Sequence, residues 1–157
     1  LKPMKPDEVA FVERMGTLWD AFGATRSAGQ ILGRLMICDP PHQSAADLQE
    51  ALELSAGSVS ITLRLLEGLG LVERVTFRGD RTRYCQLREH AWVGVMETRM
   101  AGLEQLEAVA EAAVPLRRGG RADRVDDLVF VTEFMLREWP QLIERMEAEL
   151  ARRKEGT

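Results

Sequence analysis

The densest chemistry in the chain lies between Ser58 and Arg88. Six arginines there (Arg64, Arg74, Arg78, Arg81, Arg83 and Arg88) stand against three carboxylates, Glu67, Glu73 and Asp80. The 157-residue chain as a whole has the opposite sign, with a formal charge of −4. A local positive excess inside an acidic protein points to a polyanionic partner such as the DNA backbone. Guanidinium suits the task, because its planar fork donates to phosphate oxygens or to O6 and N7 of guanine. Ser58, Ser60 and Thr62 precede or flank Arg64 and carry hydroxyls that either bond phosphates and bases or serve as local caps. Ile61 lies among them, and an outward isoleucine calls for a thymine methyl or a protein partner.

Other chemistries have less support. Cys38-x3-His42 and Cys85-x4-His90 supply four conceivable zinc ligands, but the spacing matches no common structural zinc pattern, and Cys85 falls in an alternating, strand-like segment. Two distant cysteines without a CxxC motif read as buried thiols, with nothing nearby to lower a thiolate pKa. Nucleophilic catalysis lacks its parts: there are two histidines, no Gly-x-Ser-x-Gly elbow and no phosphate-cradling loop. No enzymatic activity, cofactor or metal is therefore expected. No apolar run reaches the roughly 18 residues that span a bilayer, and LKPMKPDEVA lacks the apolar centre of a signal peptide. A cytoplasmic location without membrane insertion is the expectation.

The elements that must position these residues follow from periodicity. A composition of 45% hydrophobic and 29% charged residues supports a folded core. Val12, Met15, Trp19 and Phe22 follow helical spacing from Asp7 to Phe22. A second helix runs from about Arg26 to Cys38 and is stopped by Asp39-Pro40-Pro41, since proline cannot continue the hydrogen-bond ladder. A short third helix fits Ser44 to Leu54. Ser55 offers a cap for a fourth, in which Val59, Leu63 and Leu66 share the core face and Gly68 and Gly70 mark the end. At 100° per residue, Ser60, Ile61, Arg64 and Leu65 then point outward. LVERVTF and TRYCQL alternate as strands about the turn Arg78-Gly79-Asp80-Arg81. After His90 one helix runs to about Val114. A breaker from Pro115 to Gly120 precedes a long final helix with an apolar stripe from Val125 to Leu150, which Pro140 is positioned to kink.

Helix, short helix, turn, helix, hairpin is the order of a winged helix-turn-helix, whose second motif helix enters the major groove. The segment SAADLQEALELSAGSVSITLRLLEGLGLVERVTFRGDRTRYCQL resembles the DNA-binding core of MarR-family regulators, particularly the GbsR-like branch. Gly57-Ser58-Val59-Ser60, Leu63-Arg64-x-Leu66-Glu67, Gly70-Leu71-Val72-Glu73-Arg74 and Gly79-Asp80-Arg81 carry that likeness. ILGRLMICDPPHQSAADL and FVERMG look similar to actinobacterial repressors of MmpL-type lipid and drug efflux pumps. The resemblance implies a mainly α fold with a small β-hairpin wing. Residues 26–90 would form the winged DNA-binding lobe, and 1–25 with 91–157 a helical dimerisation lobe, all within one unit. Arg78, Arg81 and Arg83 would be wing contacts to DNA, with Arg81 reaching toward the minor groove, and Asp80 would orient Arg74 or another wing arginine through a bidentate salt bridge.

The apolar stripes of the terminal helices exceed what a small monomer covers, and with the resemblance they imply a homodimer on a palindromic double-stranded operator, usually as a repressor. Met15, Trp19, Trp92, Met96, Met100, Met135 and Trp139 lie on the expected dimer-lobe helices. They are either core or the wall of an effector pocket, and the resemblance implies a lipid-like or hydrophobic drug-like ligand. The alternative, favoured by overall acidity, is a helical protein-interaction module that keeps a winged fold without specific DNA binding.

Overall fold

A computed structural model describes residues 3–119 and 122–155; the end of the expected breaker, Gly120, lies outside them. Two compact units divide the chain, Leu1–Ala91 and Trp92–Thr157.

In the first unit, α1 (Pro6–Ala21) starts at a proline, with Asp7 and Glu8 against its positive end. The Glu8 carboxylate accepts the Lys5 backbone N–H at 2.8 Å. α2 (Arg26–Ile37) is capped by Thr25, whose hydroxyl accepts from the Ala28 N–H. Glycines make the α1–α2 crossing unusually close: a Cβ on Gly29 would lie 2.2 Å from the Met15 carbonyl oxygen, so only glycine fits there. Glu13 fastens the crossing by accepting from Gln30 at 2.7 Å and from Arg26. The Gln30 bond first, and then Arg26, hold its carboxyl below the ordinary carboxylate range. α1 packs on α2 within the first unit.

α3 (Ala45–Leu52) opens with a reciprocal cap in which the Asp47 N–H donates to the Ser44 hydroxyl and Asp47 Oδ2 accepts the Ser44 N–H at 2.8 Å. Glu53, at φ 53°, ends it in the left-handed region. α4 (Ala56–Gly68) follows, and Gly70 at φ +70° turns the chain into the sheet. That sheet holds β1 (Gln43–Ser44), β2 (Val72–Val75) and β3 (Tyr84–Leu87), antiparallel throughout in the order β1-β3-β2. The expected two-stranded hairpin is thus a three-stranded sheet, with Gln43 opposite Cys85. Its strands are also shorter than the alternating runs LVERVTF and TRYCQL, leaving a longer wing loop. Ile31, Leu32, Leu48, Val59, Leu66, Leu71 and Val72 form the core beneath these elements.

The second unit contains most of α5 (Ala91–Ala113), a 3₁₀ turn (Val114–Leu116) and α6 (Ala122–Glu155). Trp139 Nε1 donates to the Met96 carbonyl at 3.1 Å and ties the two helices. Along α6 the expected stripe is turned inward: Thr132 and Ile143 are buried, and Val125, Leu128, Met135, Leu136, Trp139, Met146 and Leu150 are half-buried. Pro140 lies inside α6.

Candidate nucleic-acid interface

α4 is positioned by its cap and by its apolar face. Ser55 Oγ accepts the Ser58 N–H at 3.2 Å, fixing where the helix starts. Val59, Leu63 and Leu66 are 6% exposed or less, which locks the helix rotation. Ser60, Ile61, Arg64 and Leu65 are consequently turned to solvent, and Ser58 is half-buried. Arg64 forms no ion pair among the described residues. Thr62 must be corrected: the sequence places it among the DNA contacts, but it is buried, and its hydroxyl lies 3.1 Å from that of Ser27 on α2. It stands three residues after Val59, on the same inward face, so its role is to join α4 to α2.

The wing is held by a network the sequence did not suggest. Gly79 at φ +87° makes the turn, closed by the Asp80 N–H donating to the Phe77 carbonyl at 3.0 Å. Asp80 is the second correction: no arginine pairs with it among the described residues. Its carboxylate accepts the Thr82 N–H and the Tyr84 hydroxyl, both at 2.8 Å. Those bonds, that of the Thr82 backbone first, hold its carboxyl below the usual carboxylate range. Asp80 therefore orders the turn itself and leaves the guanidinium groups around it unclaimed. Arg74 instead donates from Nε to Glu67 at 2.6 Å, tying β2 to the end of α4. Arg78, Arg81 and Arg83 are exposed and make no ion pair among the described residues. His42, Phe77 and Tyr84 form a ring cluster at the wing base, with centroids 4.6–5.5 Å apart. His42 is 35 residues from Phe77, so no local pattern announced this contact.

Both cysteines are buried free thiols. Cys85 is buried, donates its S–H to the Gln43 carbonyl at 3.1 Å, and is pushed up to about 12, by burial first. Burial likewise raises Cys38. Among the described residues no group of three or more His, Cys, Asp or Glu side chains is placed to hold a metal.

The expected effector residues are distributed over both units. Met15 and Trp19 belong to the first unit, where Met15 packs against Gly29 and Gly33 of α2. In the second unit an open groove of about 800 Å³ is lined by Trp92, Val93, Met96, Met146 and Leu150, with Arg145, Arg152 and Arg153 beside them. Met100, Met135 and Trp139 are half-buried on the same two helices, outside that lining. Among the described residues no helix is long and apolar enough to cross a membrane.

Comparison with known proteins bears on this arrangement. The MarR family model matches residues 22–81, from the end of α1 to the wing turn. The HTH-type transcriptional regulator MmpR5 of Mycobacterium tuberculosis is 34% identical over 135 residues, covering 82% of each chain. A crystal structure described as a transcriptional regulator superposes with a TM-score of 0.80 at 31% identity, covering 91% of this chain and 99% of the other.

Proposed function

The chain belongs to the MarR family of transcriptional regulators, and from that premise we propose that it acts as a homodimeric repressor on a palindromic operator. One observation carries the reading. The outward stripe of α4 and the unpaired wing arginines Arg78, Arg81 and Arg83 belong to one compact unit, so a base-reading helix and a phosphate-gripping hairpin are built on the same core. α4 enters the major groove. Arg64 addresses guanine, Ser58 and Ser60 bond backbone or base, and Arg81 meets the neighbouring minor groove.

Dimerisation follows from the second unit. Val109, Leu116, Phe130 and Val131 are each more than half exposed, and a second copy of the chain covers them. In the first unit, Val9, Leu18 and Phe22 of α1 are exposed apolar side chains as well. Two-fold pairing sets the recognition helices about one DNA turn apart.

The groove beside Trp92 and Met96 accepts a lipid-like or hydrophobic drug-like effector. Such a ligand releases DNA by favouring a dimer whose helices are wrongly spaced. Titrating fatty acids, monoacylglycerols and cationic hydrophobic drugs, with tryptophan fluorescence and operator binding read together, tests this part; binding that leaves operator affinity unchanged refutes it. The DNA reading is tested by selection from a random promoter library. Enrichment of a palindrome supports it, while recovery of random sequence supports a winged protein-interaction module instead.

A further inference from the structure

α4 carries a second level of information in the residue types of its outward stripe. Gly57, Ser60, Ile61, Arg64, Leu65 and Gly68 recur at three- and four-residue spacing and so share one face. Ile61 is 63% exposed, although Val59 and Leu63 on either side of it are enclosed by the core. Its exposure is therefore fixed by the helix rotation. At both ends of the stripe the surface is open: a Cβ on Gly57 or Gly68 would meet nothing within 4 Å, so a flat object can approach the helix closely along its length.

The stripe is also selective by what it lacks. It has no Asp or Glu to accept from the cytosine amino group and no Asn or Gln to bracket adenine. What remains is one guanidinium, suited to O6 and N7 of guanine, branched apolar side chains, suited to the methyl group of thymine, and the Ser60 hydroxyl, which bonds any base or a phosphate and so discriminates little. Three residues of α-helix rise about 4.5 Å, against a base step of roughly 3.4 Å. Ile61 and Arg64 thus address neighbouring base pairs.

We infer that Ile61 reads the methyl group of a thymine lying within one base step of the guanine that Arg64 reads, so that each operator half-site carries this thymine–guanine pair of contacts. The inference rests on the DNA-binding function proposed above and adds its base preference. The apolar contact removes the isoleucine from water only when a methyl is present, which makes Ile61 a specificity-determining residue and not a source of general affinity.

The test uses the full-length protein and the operator selected from a random duplex library. Each thymine of the half-site is replaced in turn by deoxyuridine, which removes one methyl group and alters nothing else on the groove edge. At one position, within a step of a guanine, wild-type binding should weaken about fourfold per half-site, the value of one buried carbon. Ile61→Ala should bind the thymine and uracil duplexes equally. Arg64→Ala should keep the methyl effect and lose its preference for the neighbouring guanine. Because Ile61 is a surface residue, an unchanged thermal melt will show that Ile61→Ala is folded. Wild-type protein indifferent to every uracil, or Ile61→Ala that still discriminates, overturns the inference while the DNA-binding reading stands. Failure to select any sequence removes both.

Discussion

The two units solve the burial problem differently. Of the nine largest side chains less than 2% exposed among the described residues, eight lie in the first unit and only Thr132 in the second. Ile31, Leu32, Leu48, Val59 and Leu66 enclose one another, so the DNA-reading unit completes its core from a single chain. The second unit leaves Val109, Leu116 and Phe130 more than 60% exposed, and the rings of Phe130 and Phe134, tilted 32° to one another, have centroids 6.0 Å apart on the outside of α6. On the proposed dimer its helices supply half of a core. On the proposed dimer the difference divides the work: the first unit keeps its shape without assembly, and the helices of the second depend on it for stability.

The largest expected effect comes from breaking the incomplete half. Phe130→Glu combined with Phe134→Glu places charge where a second copy must pack. Sedimentation at low micromolar concentration should then show a monomer. Operator affinity should fall by about 10²–10⁴-fold, the loss expected when two linked half-site contacts become one. A dimer surviving both substitutions would move the interface elsewhere.

Disturbing the complete half should look different. Gly29→Val forces a side chain into the Met15 backbone, at a cost of about 3 kcal/mol. The resulting fall in melting temperature should be nearly independent of protein concentration, whereas that of the Phe130/Phe134 variant should not. A fall for Gly29→Val that itself changes with concentration would mean that the first unit also relies on assembly.

Within the reader, α4 and the wing should separate. Arg64→Ala should cost about 1–3 kcal/mol on the selected operator and relax one base position. Arg81→Ala should weaken selected and random duplexes alike. Equal losses on both kinds of DNA for Arg64→Ala would remove it as a base reader.

The smallest effect concerns pH. Glu13 has a folded pKa lowered from 4.5, chiefly through Gln30. Its stabilisation is therefore full above the unfolded value and lost as pH falls through the lower folded one. Thermal melts below pH 4.5 should show wild type losing stability slightly faster than Glu13→Gln. Parallel curves would show that the bonds to Gln30 and Arg26 contribute nothing net. The Glu13 side chain is 44% exposed, so screening keeps the effect small.

Much of this was legible in the sequence because it is local. The three-and-four spacing of Val59, Leu63 and Leu66 sets the rotation of α4, and Ser55 sets its start, so the outward positions of Ile61 and Arg64 followed directly. Thr62 was misread because a hydroxyl next to Arg64 suits DNA as well as it suits a buried bond, and its partner Ser27 is 35 residues away. Asp80 was misread for a related reason: the charge of Arg74 and the other wing arginines suggested an ion pair, yet the short bonds from the Thr82 backbone and the Tyr84 hydroxyl satisfy it in so tight a turn. β1 and the His42–Phe77–Tyr84 cluster depend on chain-distant pairing. The α1–α2 crossing went unread, because nothing in the local sequence around Gly29 says which helix will approach it.

Binding to the selected palindrome and to a scrambled duplex of equal length, measured across a salt series, tests the central claim most directly. Log affinity for both should fall linearly with log salt, at about 0.9 per phosphate neutralised. A gap of at least roughly 10³-fold between the two should persist at physiological salt. Affinity that does not change with salt, or a gap that vanishes, would contradict the account of α4 as a base reader supported by the wing arginines.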